Sequence, residues 1–181
     1  MEIQKHAVRG VLAGVAGGLA ASWIMNEFIA GPGVKLRHAV QNDQENLQQE
    51  QQAKEQKQSG KPNVDATMKT ADAIALAATG GRHLSLNGKQ KAGPVVHYTF
   101  GALVGGLYGG LAEYSSLARA GFGTTFGAVL FVGADLVAVP ALHLSGAPTD
   151  SPLDSYATPF AAHLVYGATT ELVRRIVRRI L

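Results

Sequence analysis

Apolar residues run along this chain in long, nearly unbroken blocks. Four stand out: Ala7 to Ala30, Gly93 to Glu113, Ala120 to Leu144 and Ala157 to Arg174. Each approaches the roughly 20 residues a helix needs to cross a hydrocarbon core of about 30 Å. A helix packed in a water-soluble fold keeps a polar stripe for solvent. Val11 to Ala21 and Val129 to Leu142 offer almost none. The pattern predicts an all-α, polytopic membrane protein: a four-helix transmembrane bundle with a long polar loop between helices 1 and 2. The first block runs on past the small residues Ala20-Ala21-Ser22 to Trp23, Ile24, Met25, Phe28 and Ile29, so it reads as a retained helix and not as a cleaved leader. The fourth block is the weakest, because arginines cut its apolar span short.

The blocks divide the chain into residues 1–30, a polar insertion over 31–92, and residues 93–181 with a basic C-terminus. Gln, Glu, Lys and Asn dominate Gln41 to Gly60, with Leu47 its one large apolar residue. Such a tract is compatible with disorder or with a water-bathed helix that Pro62 would end. Beyond it, Met68, Ala71, Ile74, Ala75 and Ala78 recur at helical spacing beside Lys69 and Asp72. They predict a short amphipathic helix on the membrane surface. Gly80-Gly81 would stop it, and Asn87-Gly88 reads as a turn before the second crossing.

Composition sharpens this picture. The 181 residues include 22 Gly and no Cys, and the formal charge is +3. Absence of Cys excludes disulfides and thiolate metal sites. Most glycines lie inside the apolar blocks, where each costs roughly 1 kcal/mol of helix propensity. Lipid gives helices no hydrophobic reason to associate, so small residues that permit close backbone approach must supply the contact. Gly10, Gly14 and Gly18 repeat at four-residue intervals, as do Gly101, Gly105 and Gly109, and Gly123 with Gly127 opens the third block. These stripes predict tight packing within the chain or between chains, so a homo-oligomer or a place in a larger membrane complex is open. The partner expected throughout is the lipid bilayer, with no nucleic acid.

Basic residues set the expected orientation. Lys5 and Arg9, Arg119, and Arg174, Arg175, Arg178 and Arg179 fall on one side of four crossings, whereas the loop Ser145 to Tyr156 has Asp150 and Asp154 and no Lys or Arg. Short basic loops stay in the cytoplasm. Both termini are therefore expected there, with the arginines near anionic headgroups.

Ionisable residues inside a crossing are expensive and mark functional sites by default. Glu27, His97, Asp135, His143 and His163 all fall toward the outer ends of their helices in this topology, with Tyr98, Tyr166 and Asn26 near enough to add hydrogen bonds. His with carboxylate suits proton transfer or metal ligation. Plain structural roles are the first reading of these residues, and proton or small-solute handling is the functional chemistry favoured after it. An accessory subunit of a larger complex is the alternative function. A haem or metal redox protein, with His97 and His163 as ligands, is a weaker one. No HExxH, GxSxG or P-loop occurs, so neither an enzyme nor a cofactor is expected. The motifs His97-Tyr98-Thr99-Phe100-Gly101 and His163-Leu164-Val165-Tyr166-Gly167 hint at a parallel duplication. Glu113 and Glu171, toward the other end, are expected to pair with Arg119 and with Arg174 or Arg175.

The Gly-rich first helix with Trp23 and Glu27, the His97/Gly101 helix, the Gly123–Gly127 start, Pro140 and His163-Leu164-Val165-Tyr166-Gly167 together resemble the YagU-like inner-membrane proteins. The likeness covers the four apolar blocks, and the Gln-rich insertion departs from it. It implies an integral protein of the bacterial inner membrane, loosely associated with acid-stress tolerance, with no established reaction and no catalytic residues to carry over.

Overall fold

The computed structural model describes residues 2–41, 46–48, 50–51, 54–55 and 63–181. Most of the Gln-rich tract, and Pro62, lie outside these residues. Every element among the described residues is helical: α1 (Glu2–Ala30), α2 (Pro32–Val40), α3 (Ala66–Thr79), α4 (Leu86–Tyr114), α5 (Thr124–Phe131) and α6 (Ala157–Ile180). A 3₁₀ turn, Ala120–Gly123, leads into α5. A π-helical stretch, Val132–Ala138, and a short turn, Val139–Ala141, continue it. Among the described residues, three segments are long and apolar enough to cross a membrane: His6–Ala30, Leu86–Tyr114 and Ala120–Ala141, the last called the third span below.

α4 begins at Leu86, earlier than the predicted crossing, and takes Asn87-Gly88 into its first turn. Ser85 causes this. Its Oγ accepts the Gly88 N–H at 3.2 Å, which gives the helix a starting cap before the apolar residues begin. α2 was not visible in the hydrophobic pattern. Gly31-Pro32-Gly33 reads as a break, yet Pro32 sits in the first turn of α2, where its missing N–H costs nothing. α3 starts at the Asp65 cap, whose carboxylate accepts the Met68 N–H at 2.8 Å, and stops at Gly80 in a left-handed conformation (φ 66°).

α1 lies antiparallel against α4 on one side and α6 on the other, and the third span packs on α6. The α1–α4 seam is built of glycine. A Cβ on Gly14 would collide with the Gly105 carbonyl, one on Gly18 with Gly101, and one on Gly109 with Gly10. Gly17 abuts Thr170 of α6, while Gly123 and Gly127 abut Gly167 and His163. Backbones meet where side chains would otherwise hold them apart.

The distribution of residues is inverted relative to a water-soluble protein. Buried positions include Ser22, Thr170, Glu171 and Arg174, whereas Leu103, Leu107 and Leu111 form an outward stripe on α4 with 62 %, 69 % and 62 % of their surface exposed. Val8, Leu12 and Trp23 do the same on α1. An exterior of Leu and Val around an interior that mixes small, polar and aromatic residues suits an apolar surrounding.

Candidate functional site

α4 and the third span meet where the Tyr108 and Phe126 rings stack, 4.5 Å between centroids, and toward the other end a cavity of about 440 Å³ opens between them. Three of the five predicted residues line it: His97 from α4, Asp135 from the π-helical stretch and His163 from α6. α1 contributes Ser22, and α3 contributes Thr67 and Thr70. Asp135 is thus carried on an irregular turn, of a kind frequent at functional sites.

His163 is buried, and its Nδ1 lies 2.9 Å from the Pro159 carbonyl one turn earlier. A carbonyl only accepts, so Nδ1 carries hydrogen, and the neutral ring keeps its lone pair on Nε2. The same Nδ1 is 3.8 Å from Asp135 Oδ2, an ion-pair distance once the imidazole is doubly protonated. Asp135 has no hydrogen-bond donor in reach among the described residues. His97 meets Tyr98 edge-on, with ring centroids 5.6 Å apart, and its buried Nε2 has no hydrogen-bond partner. Ser22 Oγ is buried and unpartnered too. Tyr166 reaches across to α4, donating from its hydroxyl to the Gly101 carbonyl at 2.6 Å. His97 and Ser22 both line the cavity, and buried polar atoms left without a partner next to it call for an explanation in function.

Glu27 and His143 lie at the same end but outside this lining. Glu27 is exposed on the last turn of α1. His143 is exposed as well, and its φ of 56° is left-handed. Its N–H donates to the Pro140 carbonyl at 2.9 Å, and the Leu144 N–H donates to the Val139 carbonyl at 2.9 Å. That pair of bonds is a helix-terminating motif, so the backbone of His143 caps the third span. No group of three or more His, Asp or Glu side chains able to hold a metal ion occurs among the described residues.

The opposite end is occupied by an ion-pair network. Glu171 is fully buried; it accepts from the Tyr108 hydroxyl at 2.8 Å, from Arg174 Nε at 2.7 Å and from Arg175 Nε at 2.6 Å. Glu113 accepts from Arg178 Nε at 3.0 Å and Arg174 Nη1 at 3.4 Å, and not from Arg119 as the sequence suggested. Arg178 also donates to His6 Nδ1 at 2.9 Å. Arg175 lies over the Phe122 ring, 4.7 Å from its centroid. Three of the four C-terminal arginines are thus engaged by protein partners.

A third polar centre joins α3 to α4. Asp72 accepts from Lys89 Nζ at 2.7 Å and the Leu84 N–H at 2.7 Å, with His83 Nδ1 at 2.9 Å. The Lys89 ammonium and the His83 ring hold its carboxyl down at about 2. Lys69 of α3 donates to the Leu144 carbonyl at 2.9 Å, tying α3 to the end of the third span as well.

Ser22 is the site residue that the search for ionisable groups missed. A signal was present: Gly10, Gly14, Gly18 and Ser22 form one four-residue series, so Ser22 prolongs the small-residue face toward α4. Residues 68–172, more than half of the chain, match a family model described as a protein of unknown function, DUF1440, in keeping with the YagU-like resemblance. No curated protein and no solved structure matches the chain.

Proposed function

This chain belongs to the DUF1440 family, and from that premise we propose that it is an inner-membrane protein that handles protons, alone or with a small solute, at the His97–Asp135–His163 cavity. The observation that carries the reading is the meeting of three ionisable side chains from three helices on one cavity, in a segment where such groups are costly. In it, α6 is a fourth crossing, completing a four-helix bundle. Mutual neutralisation of Glu171, Glu113, Arg174 and Arg178 supports that assignment, because it lets a charged helix end enter an apolar medium. The glycine seams are its packing surfaces. Both termini are cytoplasmic and the cavity faces the outer side, as the basic residues at one end and the loop free of Lys and Arg at the other favour.

The test is proton entry into vesicles carrying the purified protein, followed with an enclosed pH-sensitive dye under an imposed gradient. Wild type should exceed protein-free vesicles. His97→Ala and His163→Ala should slow entry severalfold while eluting and melting as wild type does. Equal entry in wild type, variants and protein-free vesicles would overturn the proposal.

A further inference from the structure

We infer that the cavity between α4 and the third span is a binding site for a small organic cation, a protonated amine on an apolar body. The inference rests on reading that cavity as the functional site, and goes on to name what it accepts. Its volume of about 440 Å³ falls within the range of about 300–1,000 Å³ usual for small-molecule sites.

The lining chooses the charge. Among the described residues, Asp135 is the one formally charged residue in it, and no Lys or Arg contributes. The nearest ionic neighbour of that carboxylate is His163 Nδ1, 3.8 Å away and already bonded to the Pro159 carbonyl. A carboxylate that keeps only 38 % of its surface exposed in an apolar setting lacks part of the solvation it has in water. An ammonium group answers that deficit, whereas a second anion would deepen it. The remaining polar atoms suit a donor-rich head. Neutral His163 leaves its Nε2 as an acceptor, and Tyr166 has spent its proton on the Gly101 carbonyl and keeps lone pairs.

The walls choose the body. Phe100, Val104, Leu130 and Leu142 give an apolar surface, and Phe100 and Tyr166 bring aromatic rings, groups of a type that attracts cations. A bare metal ion finds no cluster of three ligands here among the described residues. An amine with an aromatic or short aliphatic body satisfies both halves of the lining.

The experiment uses full-length protein in phosphatidylcholine nanodiscs near neutral pH. Three probes of one shape are compared by equilibrium dialysis against empty nanodiscs: phenethylammonium, 2-phenylethanol and phenylacetate. Phenethylammonium should bind about tenfold or more tighter than the other two, and Asp135→Asn should remove that preference. A second variant, Ala134→Leu, narrows the cavity and keeps the carboxylate. It should weaken the amine comparably while eluting and melting as wild type does. Equal binding of the three probes, an amine preference that survives Asp135→Asn, or undiminished amine binding in Ala134→Leu overturns the inference. So does no binding of any probe; if vesicle proton entry then still depends on His97 and His163, the proton reading stands without the cation, and if it does not, both fall.

Discussion

At His143 the backbone adopts φ 56° to make the two bonds that end the third span, and that geometry explains a histidine near the other polar residues without giving it their task. A residue with a Cβ pays about 1–2 kcal/mol for this conformation, and glycine pays almost nothing. His143→Gly should therefore raise the melting temperature of the purified protein slightly and leave vesicle proton entry unchanged; lost proton entry at unchanged stability would return His143 to the site. Asp135 and His163 are the reverse case, since neither makes a capping bond and both line the cavity. Residue identity alone could not separate the two cases. Five ionisable residues were visible in the sequence at similar depth, but whether each side chain lines space, meets water or merely terminates a helix depends on backbone angles. Ser22 shows the complementary blindness: a search for charge passes over a hydroxyl whose importance comes from having no partner.

Helices meet here through backbone, and the glycines decide how closely. Gly105 faces Gly14 and Gly18 so tightly that any Cβ would enter the α1 backbone, while Gly133 has nothing within 4 Å of such an atom. Gly105→Leu should push α1 from α4, costing about 3 kcal/mol or more and read as reduced yield and a lower melting temperature. Gly133→Ala, in open space, should be tolerated. The four-residue spacing was legible in the sequence, but the pairing Gly10–Gly109, Gly14–Gly105 and Gly18–Gly101 was not, because a stripe does not say which helix opposes it. The apolar blocks were legible as helices because unbroken Leu, Val, Ala and Gly leave no polar face. α2 was not, since Gly31-Pro32-Gly33 signals a break as readily as a start. The π-helical stretch leaves no residue signature at all.

The α3–α4 joint adds an element with its own pH dependence. Asp72 is held at about 2, below the ordinary carboxylate value. A carboxyl depressed in the folded state contributes its full stabilisation above the unfolded value near 4 and loses it as pH falls from there through about 2. Amide exchange along Ala66–Thr79 should thus report a firm joint at mildly acidic pH and a loosened one only under strong acid. In Asp72→Asn the exchange should be fast at neutral pH as well. Equal protection in the variant would show that Lys89 and His83 do not hold α3.

For the molecule as a whole, the exposed Leu, Val and Ile residues of α1, α4 and the third span form an apolar exterior that water does not support. The protein should sediment with membranes from a detergent-free lysate and stay there through alkaline carbonate washing. Recovery in the supernatant would contradict the lipid-facing assignment of Leu103, Leu107 and Leu111. The two ends of the molecule differ in kind: buried, saturated ion pairs close one, and unpaired polar atoms around open space occupy the other. Between them, the wide coil at Val132–Ala138 sets the phase of everything that follows it. Regular winding advances about 100° per residue. A π turn closes its bonds over one residue more than a regular turn, so deleting one residue there would restore ordinary pitch and leave Pro140 and His143 facing nearly as before, with the Gly123–Gly127 contact with α6 still in register. A single deletion is thus enough for a lineage to lose the irregular turn under Asp135 while both flanks of the span keep their bearings.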